Sequence, residues 1–393
     1  MALLRLTWCP NVRNNLIKGW AAHRGSPLNN MKQKEPKYLS LVGWIKDKIC
    51  AKELCTGDKL YSENELSEMF GLSRQTVRHA IGVLESEGLV ERIRGSGTYI
   101  GRRGGNPKKR TMNIAVISTY VDGYIFPPTL QGIVQTLTGA GYMTQIAFTN
   151  NRVDSERKIL EKILEKDNVD GVIVEATKSA LPNPNLEYYR ELQRRQTALL
   201  FFNCRYPELE APIVALDDVQ VAEDAVNYLL SLGHRKIGGI FKADDGQGKL
   251  RYAGYVEALL NRGIGVDDRK ILWIDTEDQK ALRNIKHSVL RRLTDCTAVF
   301  CYNDEVAFGL MELLHKEGFR VPGQLSVISI DASELSILAE PHITSIPYPM
   351  EELGRKAAEN MLRLIEEPDF DGTYLYCPEI LVRDSVRKIG GIE

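Results

Sequence analysis

From Met112 to the C-terminus, short apolar runs alternate with helical stretches such as Asp217–Leu232 and Asp304–Glu317. The apolar runs are Asn113–Ile117, Gly171–Val174, Ala198–Phe202, Lys236–Ile240, Thr297–Phe300 and Leu325–Ile330. Strands that are apolar on both faces and separated by helices predict an α/β fold with doubly wound parallel sheets. About 280 residues are too many for one such sheet, so we expect a body with two lobes.

The preceding residues show a different pattern, in which helices with clear start signals are followed by a hairpin. Ser62-Glu-Asn-Glu predicts a capping box, and Gly71 is a suitable residue to end that helix. Ser73 is a candidate cap for the next helix, and the turn Arg94-Gly-Ser-Gly lies between two β-rich segments. This order predicts a winged helix-turn-helix, whose second helix can enter a major groove.

The charge of the chain changes at the same place. Residues Met1 to Arg110 hold 20 Lys and Arg against 10 Asp and Glu, whereas the remainder holds 31 against 42. A basic first part fits contact with a polyanion, although a solvated basic face would give the same count.

The start of the second helix carries the side chains that would read DNA. Arg can bind guanine, and Gln can bind adenine, through paired hydrogen bonds. A solvated Arg-rich face is the alternative, but the caps, the turn, the basic face and the wing all coincide here. The candidate DNA-binding residues are Ser62, Glu63, Ser73, Arg74, Gln75, Thr76, Arg78, Arg94, Gly95, Gly97 and Thr98.

Several spaced motifs in this region resemble the GntR family of DNA-binding heads, from about Pro36 to Gly101. They are Ser62-Glu-Asn-Glu-Leu, Phe70-Gly-Leu-Ser-Arg-Gln-Thr-Val-Arg, Leu84-Glu-Ser-Glu-Gly-Leu-Val and Gly95-Ser-Gly-Thr-Tyr-Ile. The resemblance implies that Arg74, Thr76 and Arg78 contact DNA. It also implies that Gly95, Gly97 and Thr98 form the tip of the wing, near the minor groove.

Polar and aromatic residues follow the apolar runs of the body. Ligands of open α/β sheets bind outside the carboxyl ends of the strands, where these residues lie. Aromatic rings can stack on the C–H faces of a polyol, and charged groups can bind its vicinal hydroxyls. For each residue a helix cap or a turn is the alternative, most clearly for Asp217 and Asp304. The strand-end candidates for effector binding are Tyr120, Tyr124, Phe126, Glu175, Asn203, Lys242, Asn303, Asp304 and Asp331.

The body resembles the periplasmic-binding-protein-like effector domain of the lactose and galactose repressor (LacI/GalR) family, from about Asn113 to Asp384. The stretches that carry this resemblance include Leu216-Asp-Asp-Val, Leu250-Arg-Tyr-Ala-Gly-Tyr and Ala298-Val-Phe-Cys-Tyr-Asn-Asp-Glu. It implies effector contacts for Asn203, Arg251, Asn303 and Asp331. Where the family has two consecutive aspartates after the late strand, this chain has Asp331 followed by Ala332. The sugar contacts at that edge of the sheet therefore stay open.

An effector that closes two lobes must contact both of them. We assign Tyr124, Glu175 and Asp331 to one lobe or its hinge. Asn203, Arg251 and Asn303 are assigned to the other. Arg251 could bind neighbouring hydroxyls with two N–H bonds, or it could hold the start of its own helix.

A GntR-type head on such a body is similar to the L-arabinose repressors (AraR type) of Gram-positive bacteria. That resemblance implies L-arabinose as inducer and operator DNA as partner, in a cytoplasmic homodimer without a membrane role. The same architecture could instead answer to another sugar or a purine. An exported sugar-binding protein is disfavoured by the DNA-binding head and the lack of an apolar signal segment.

An enzyme is disfavoured because no G-x-G-x-x-G follows the first strand and no P-loop is present. The 7 cysteines include no C-x-x-C pair, so neither a disulfide frame nor a metal site is predicted, and no cofactor is expected. We expect residues 1–35 to be a disordered leader, 36–101 the head, 102–111 a linker and 112–388 the body.

Overall fold

The computed structural model describes residues 38–50, 53–55, 57–86, 88–93, 95–100 and 110–389. The expected leader, nearly all of the expected linker, and Arg94 lie outside the described residues. The chain divides into two compact units between Lys108 and Lys109. Among the described residues, no helix combines the length and apolar character needed to cross a membrane.

The first unit is the winged helix-turn-helix that the sequence predicts. Its elements are α1 (Tyr38–Cys50), α2 (Glu63–Phe70), α3 (Arg74–Ser86), β1 (Val90–Ile93) and β2 (Gly97–Ile100). The capping box at Ser62 is present, because its hydroxyl accepts from Glu65 N at 3.3 Å and its own N–H donates to Glu65 at 2.7 Å. Ser73 caps α3 by accepting from Thr76 N at 3.2 Å. Both predicted helix starts are confirmed.

The second unit contains two parallel sheets, one in each lobe. The first lobe has the order β13-β7-β6-β5-β3-β4 and the second lobe has β12-β11-β10-β8-β9. The first-lobe strands are β3 (Asn113–Ser118), β4 (Met143–Phe148), β5 (Gly171–Val174), β6 (Ala198–Phe202), β7 (Ile213–Leu216) and β13 (Tyr374–Tyr376). The second-lobe strands are β8 (Ile237–Lys242), β9 (Ile271–Ile274), β10 (Ala298–Cys301), β11 (Ser326–Asp331) and β12 (Thr344–Pro347).

Helices cover both sheets, as doubly wound folds require. Those of the first lobe are α4 (Phe126–Gly139), α5 (Val153–Lys166), α6 (Leu186–Arg194) and α13 (Met350–Glu366). Those of the second lobe are α7 (Asp218–Ser231), α8 (Gly246–Asn261), α9 (Thr276–Lys280), α10 (Lys286–Leu293), α11 (Asp304–Lys316) and α12 (Glu334–Leu338). Short 3₁₀ turns lie at Asp268–Lys270 and Leu282–Ile285. The two separate parallel sheets confirm the predicted two-lobed body.

The lobe assignment of two candidate residues is wrong. Asn203 follows β6 and belongs to the first lobe with Glu175, whereas Asp331 ends β11 in the second lobe with Arg251 and Asn303. The apolar runs of the two sheets look alike, so the sequence does not show that the chain enters the second lobe only after β7.

Candidate functional site

A cavity of about 260 Å³ lies between the carboxyl ends of the two sheets. It is smaller than the roughly 300–1,000 Å³ of pockets for drug-sized ligands, so it suits a small molecule. The predicted residues that line it are Tyr120, Tyr124, Phe126, Glu175, Lys242, Arg251, Asn303 and Asp331. Asn203 and Asp304 do not line it.

Glu175 forms the polar wall of the cavity in the first lobe. Its carboxylate accepts from Thr119 N at 2.8 Å and from Asn203 Nδ2 at 2.7 Å. Burial raises the pKa of Glu175, and the hydrogen bonds from Thr119 and Asn203 oppose that rise. Asn203 also accepts a hydrogen bond from Tyr348, so its amide is engaged by protein groups behind the wall.

Arg251 is the central cation of the second-lobe wall and is 2% exposed. Its Nε donates to Asp218 at 2.8 Å, its Nη1 donates to the carbonyl of Tyr302, and its Nη2 lies 3.9 Å from Asp331 Oδ1. The Tyr302 ring centroid lies 4.7 Å from the guanidinium carbon. Because α8 begins five residues earlier at Gly246, Arg251 does not hold the helix start, and instead ties α8 to Asp218 of α7.

Asp331 lines the cavity in the second lobe and has one carboxylate oxygen without a hydrogen-bond partner among the described residues. Its Oδ2 accepts from the Tyr124 hydroxyl, while its buried Oδ1 has no hydrogen-bond partner among the described residues. The residue sits at a positive φ of 108°, a backbone conformation that is strained outside glycine. Burial raises the pKa of Asp331 to about 7, and the neighbouring Arg251 opposes the rise. A buried carboxylate oxygen without a partner is unfavourable, and a hydroxyl group of a ligand could donate a hydrogen bond to it.

Asp304 lies behind this wall and accepts hydrogen bonds from Ser329, Ser333 and Ser345. It is not the cap of α11, since Asn303 accepts from Val306 N at 3.0 Å. For Asp217 the capping alternative holds, because its side chain accepts from Gln220 N at 3.2 Å.

Tyr124 connects the two lobes across the cavity. It precedes α4 of the first lobe, yet its hydroxyl donates to Asp331 and accepts from Asp304 N at 3.2 Å in the second lobe. The lobes are therefore closed on each other in this structure. Nearby, the rings of Tyr120 and Phe126 meet edge to face with centroids 5.5 Å apart, which supplies the expected aromatic surface.

Sequence reasoning missed several residues of the cavity, among them Tyr302, Asp245 and Thr276. Tyr302 directly precedes the candidate Asn303, and Asp245 lies three residues after the candidate Lys242, so a wider window at each strand end would have included both. Thr276 is the first residue of α9, which follows the edge strand β9. No apolar run in the sequence predicts β9. Lys242 is 6% exposed, and its Nζ lies 3.7 Å from Asp245.

The head presents most of its candidate residues to solvent. Arg74, Gln75 and Arg78 are exposed on the first turns of α3, and Thr76 is half-buried against the Ser73 cap at 2.8 Å. Arg78 Nε donates to Glu63 at 2.7 Å. Gly95 and Gly97 have positive φ values of 80° and 131° in an exposed turn, followed by half-buried Thr98.

Comparison with known proteins gives the class of this architecture. Residues 37–100 match the gntR family of bacterial regulatory proteins, and residues 226–386 match the periplasmic binding protein-like domain. The structure of the transcription regulator CcpA of Lactococcus lactis is similar with a TM-score of 0.63 and 26% identity, covering 71% of this chain and all of that one. Head and body together define a sugar-responsive, DNA-binding transcription regulator and not an enzyme.

Two relatives resemble the chain over almost its whole length. The arabinose metabolism transcriptional repressor of Geobacillus stearothermophilus is 36% identical, covering 91% of this chain and 100% of that protein. The repressor of the same name from Halalkalibacterium halodurans is 38% identical, covering 90% of this chain and 97% of that protein. The chain belongs to the family of arabinose metabolism transcriptional repressors.

Proposed function

We propose that this repressor binds L-arabinose between its lobes and then leaves its operator. The observation that carries the proposal is the buried Oδ1 of Asp331, which has no hydrogen-bond partner among the described residues and lies 3.9 Å from Arg251 Nη2. A sugar hydroxyl can donate to that carboxylate while accepting from a guanidinium, which is the charge-assisted pairing that sugars favour.

The charges of the cavity favour a neutral ligand. Its cationic side chains are Lys242, Arg251 and Lys280, and its acidic side chains are Asp122, Glu175, Asp245, Glu305 and Asp331. Arg251 is already paired with Asp218, so little positive charge remains for an anion. A phosphorylated or acidic sugar would meet a surplus of carboxylates, whereas a pentose would meet hydrogen-bonding groups without repulsion.

The two lobes contribute to one surface, which gives the ligand a means to shift the protein between states. Glu175 and Tyr120 come from the first lobe, and Arg251, Asn303 and Asp331 come from the second. A ligand that contacts both lobes binds the closed form better than the open form, and this difference in affinity drives the change.

Calorimetry on the full chain tests the proposed ligand. L-arabinose should bind, whereas adenosine and ribose 5-phosphate should not, and D-xylose and D-ribose report how far stereochemistry is discriminated. Tighter binding of adenosine or of the phosphorylated sugar would contradict the proposal.

For the head, we infer that α3 reads the operator through Arg74, Gln75, Thr76 and Arg78. Ser62, Glu63 and Ser73 would support it, and Arg94, Gly95, Gly97 and Thr98 would form the wing. Two heads on one near-palindromic site would require a homodimer formed through the body. A protein whose partner is the bacterial operator would act in the cytoplasm. We also propose that the head spans residues 36–101, the linker residues 102–111 and the body residues 112–388.

Arg74→Ala should weaken operator binding by about 1–3 kcal/mol and random DNA by less, if Arg74 makes two bonds to one base. Fluorescence anisotropy with both duplexes at one fixed salt concentration measures this difference. Arg262→Ala, an equal loss of charge at an exposed position of the body, is the control. An equal loss on both duplexes would mean that Arg74 contacts only phosphate.

A further inference from the structure

The lobes also meet beside the cavity, where the turn of residues 177–180 in the first lobe faces the start of α8 in the second. Ser179 lies at the centre of this contact and is 6% exposed. Its hydroxyl donates to Asp245 Oδ1 at 3.0 Å and accepts from Gly246 N at 2.8 Å. One side chain of the first lobe thus satisfies both a carboxylate and a helix-terminal N–H of the second.

The neighbours of Ser179 make lobe-crossing contacts as well. Lys178 Nζ lies 3.4 Å from Asp244, and Lys249 Nζ donates to the carbonyl of Ala180. A further bond runs from Asn151 Nδ2 to Thr276 Oγ1 at 2.9 Å. We call this set, residues 178–180 and Asn151 with their second-lobe partners, the latch.

The first-lobe half of the latch is held in place from behind. Lys178 N donates to Asn151 Oδ1 at 2.9 Å, and the Tyr206 hydroxyl oxygen lies 2.9 Å from the carbonyl oxygen of Thr177. Buried Glu156 accepts from both Tyr189 and Tyr206. A turn fixed in this way presents Ser179 in one geometry, so its bonds to the other lobe cost little ordering entropy.

Asp245 joins Ser179 to the cavity. While its Oδ1 accepts from Ser179, its Oδ2 accepts from the Tyr302 hydroxyl at 2.8 Å. The Tyr302 ring packs on the Arg251 guanidinium and lines the cavity, whereas Ser179 does not line it. A displacement of Asp245 would therefore reach Tyr302 and Arg251.

We propose that Ser179 is a positioning residue for the sugar response. It holds Asp245 and the start of α8 only when the lobes are closed, so its two hydrogen bonds set how much sugar is needed to hold them closed. The inference rests on the proposed function, in which a small sugar occupies the cavity.

The test compares full-length wild type, Ser179→Ala, Ser179→Thr and the control Ser155→Ala. Ser155 lies on α5 of the same lobe, and its N–H donates to the carbonyl of Arg152 in that lobe. Calorimetry with L-arabinose should give an about tenfold larger dissociation constant for Ser179→Ala, as expected when a charge-assisted hydrogen bond is lost. Ser179→Thr retains the hydroxyl and should restore the affinity. Operator affinity without sugar should not fall in any of the four proteins.

Amide hydrogen exchange of residues 274–281, measured without sugar, reports closure independently of the ligand. Exchange there should be faster in Ser179→Ala, because the second-lobe face of the cleft opens more often. Unchanged exchange together with unchanged L-arabinose affinity would overturn the latch and leave the proposed function standing. Faster exchange in a protein whose wild type binds no L-arabinose would refute the proposed ligand and support the latch.

Discussion

Arg251→Ala is expected to leave operator binding intact and to abolish the response to sugar. The Arg251 guanidinium donates to Asp218 and to the Tyr302 carbonyl, and it forms an ion pair with Asp331. Arg251 also lines the cavity. Its loss removes the Nη2 donor that a sugar hydroxyl could use and releases the Tyr302 ring. L-arabinose affinity should fall by more than about a hundredfold, which corresponds to roughly 3 kcal/mol.

The same substitution should also destabilise the body, because it leaves two buried carboxylates without their cation. Breaking a buried ion pair by removing one partner costs about 3–5 kcal/mol. Arg251→Lys separates the two effects, since lysine keeps the charge but lacks the fork. We expect this variant to recover part of the stability while the sugar response stays weak. Arg262→Ala, exposed just beyond α8, is the matched control.

Operator release and the free energy of unfolding should be measured on one preparation of each protein. Normal release by L-arabinose in Arg251→Ala would refute the assignment of Arg251 to the sugar site. Lost stability with an unchanged sugar dose response would show that the residue only supports the fold.

Asp331→Asn is expected to weaken L-arabinose binding and, in the same protein, to increase stability at high pH relative to wild type. The variant retains an oxygen that can accept from Tyr124, but it loses the charged acceptor that faces the cavity. Loss of a hydrogen bond to a charged group costs about 1.5–3 kcal/mol of binding free energy. Asp122→Asn, at an exposed position of the same cavity, controls for the change in charge.

The pH dependence follows from the raised pKa of Asp331. Burial lifts this pKa to about 7 from an ordinary 3.8, with Arg251 opposing the shift and Asp304 and Asp218 adding to it. The folded protein therefore binds a proton more tightly than the unfolded chain does. The stability that this proton contributes is complete below about pH 4 and is lost as pH rises to about 7.

Because the amide introduced by Asp331→Asn does not titrate, the free energy of unfolding of the variant minus that of wild type should grow between pH 4 and pH 8 by roughly 2–4 kcal/mol. Denaturant unfolding at several pH values measures this difference. Parallel curves would show that the folded protein does not raise the pKa of Asp331.

The fold was predictable where strands are buried on both faces and less so at the sheet edges. Each apolar run of the body forms a strand, but β4, β7, β9, β12 and β13 are not marked by such runs. Four of these five are the edge strands of the two sheets. An edge strand can expose side chains, as Met143 (70% exposed) and Trp273 (41% exposed) do, so its sequence is mixed.

The sequence predicted which residues follow the strands, but it did not predict which of their side chains line the cavity. Asn203 follows a strand as expected, yet Glu175 and Tyr348 occupy its amide. Asp304 follows another, yet three serines surround it. The partner of Arg251 is Asp218, which the sequence offers only as half of an acidic pair at a helix entry. These pairings join residues that are distant in sequence, and a local sequence pattern does not report such contacts.

We expect sugar binding in the body to weaken operator binding by the head. Two titrations of the full chain test it: operator affinity with and without saturating L-arabinose, and L-arabinose affinity with and without operator. Coupled sites must affect each other by the same factor, so we expect both affinities to fall equally. Tight L-arabinose binding that leaves operator affinity unchanged would contradict it.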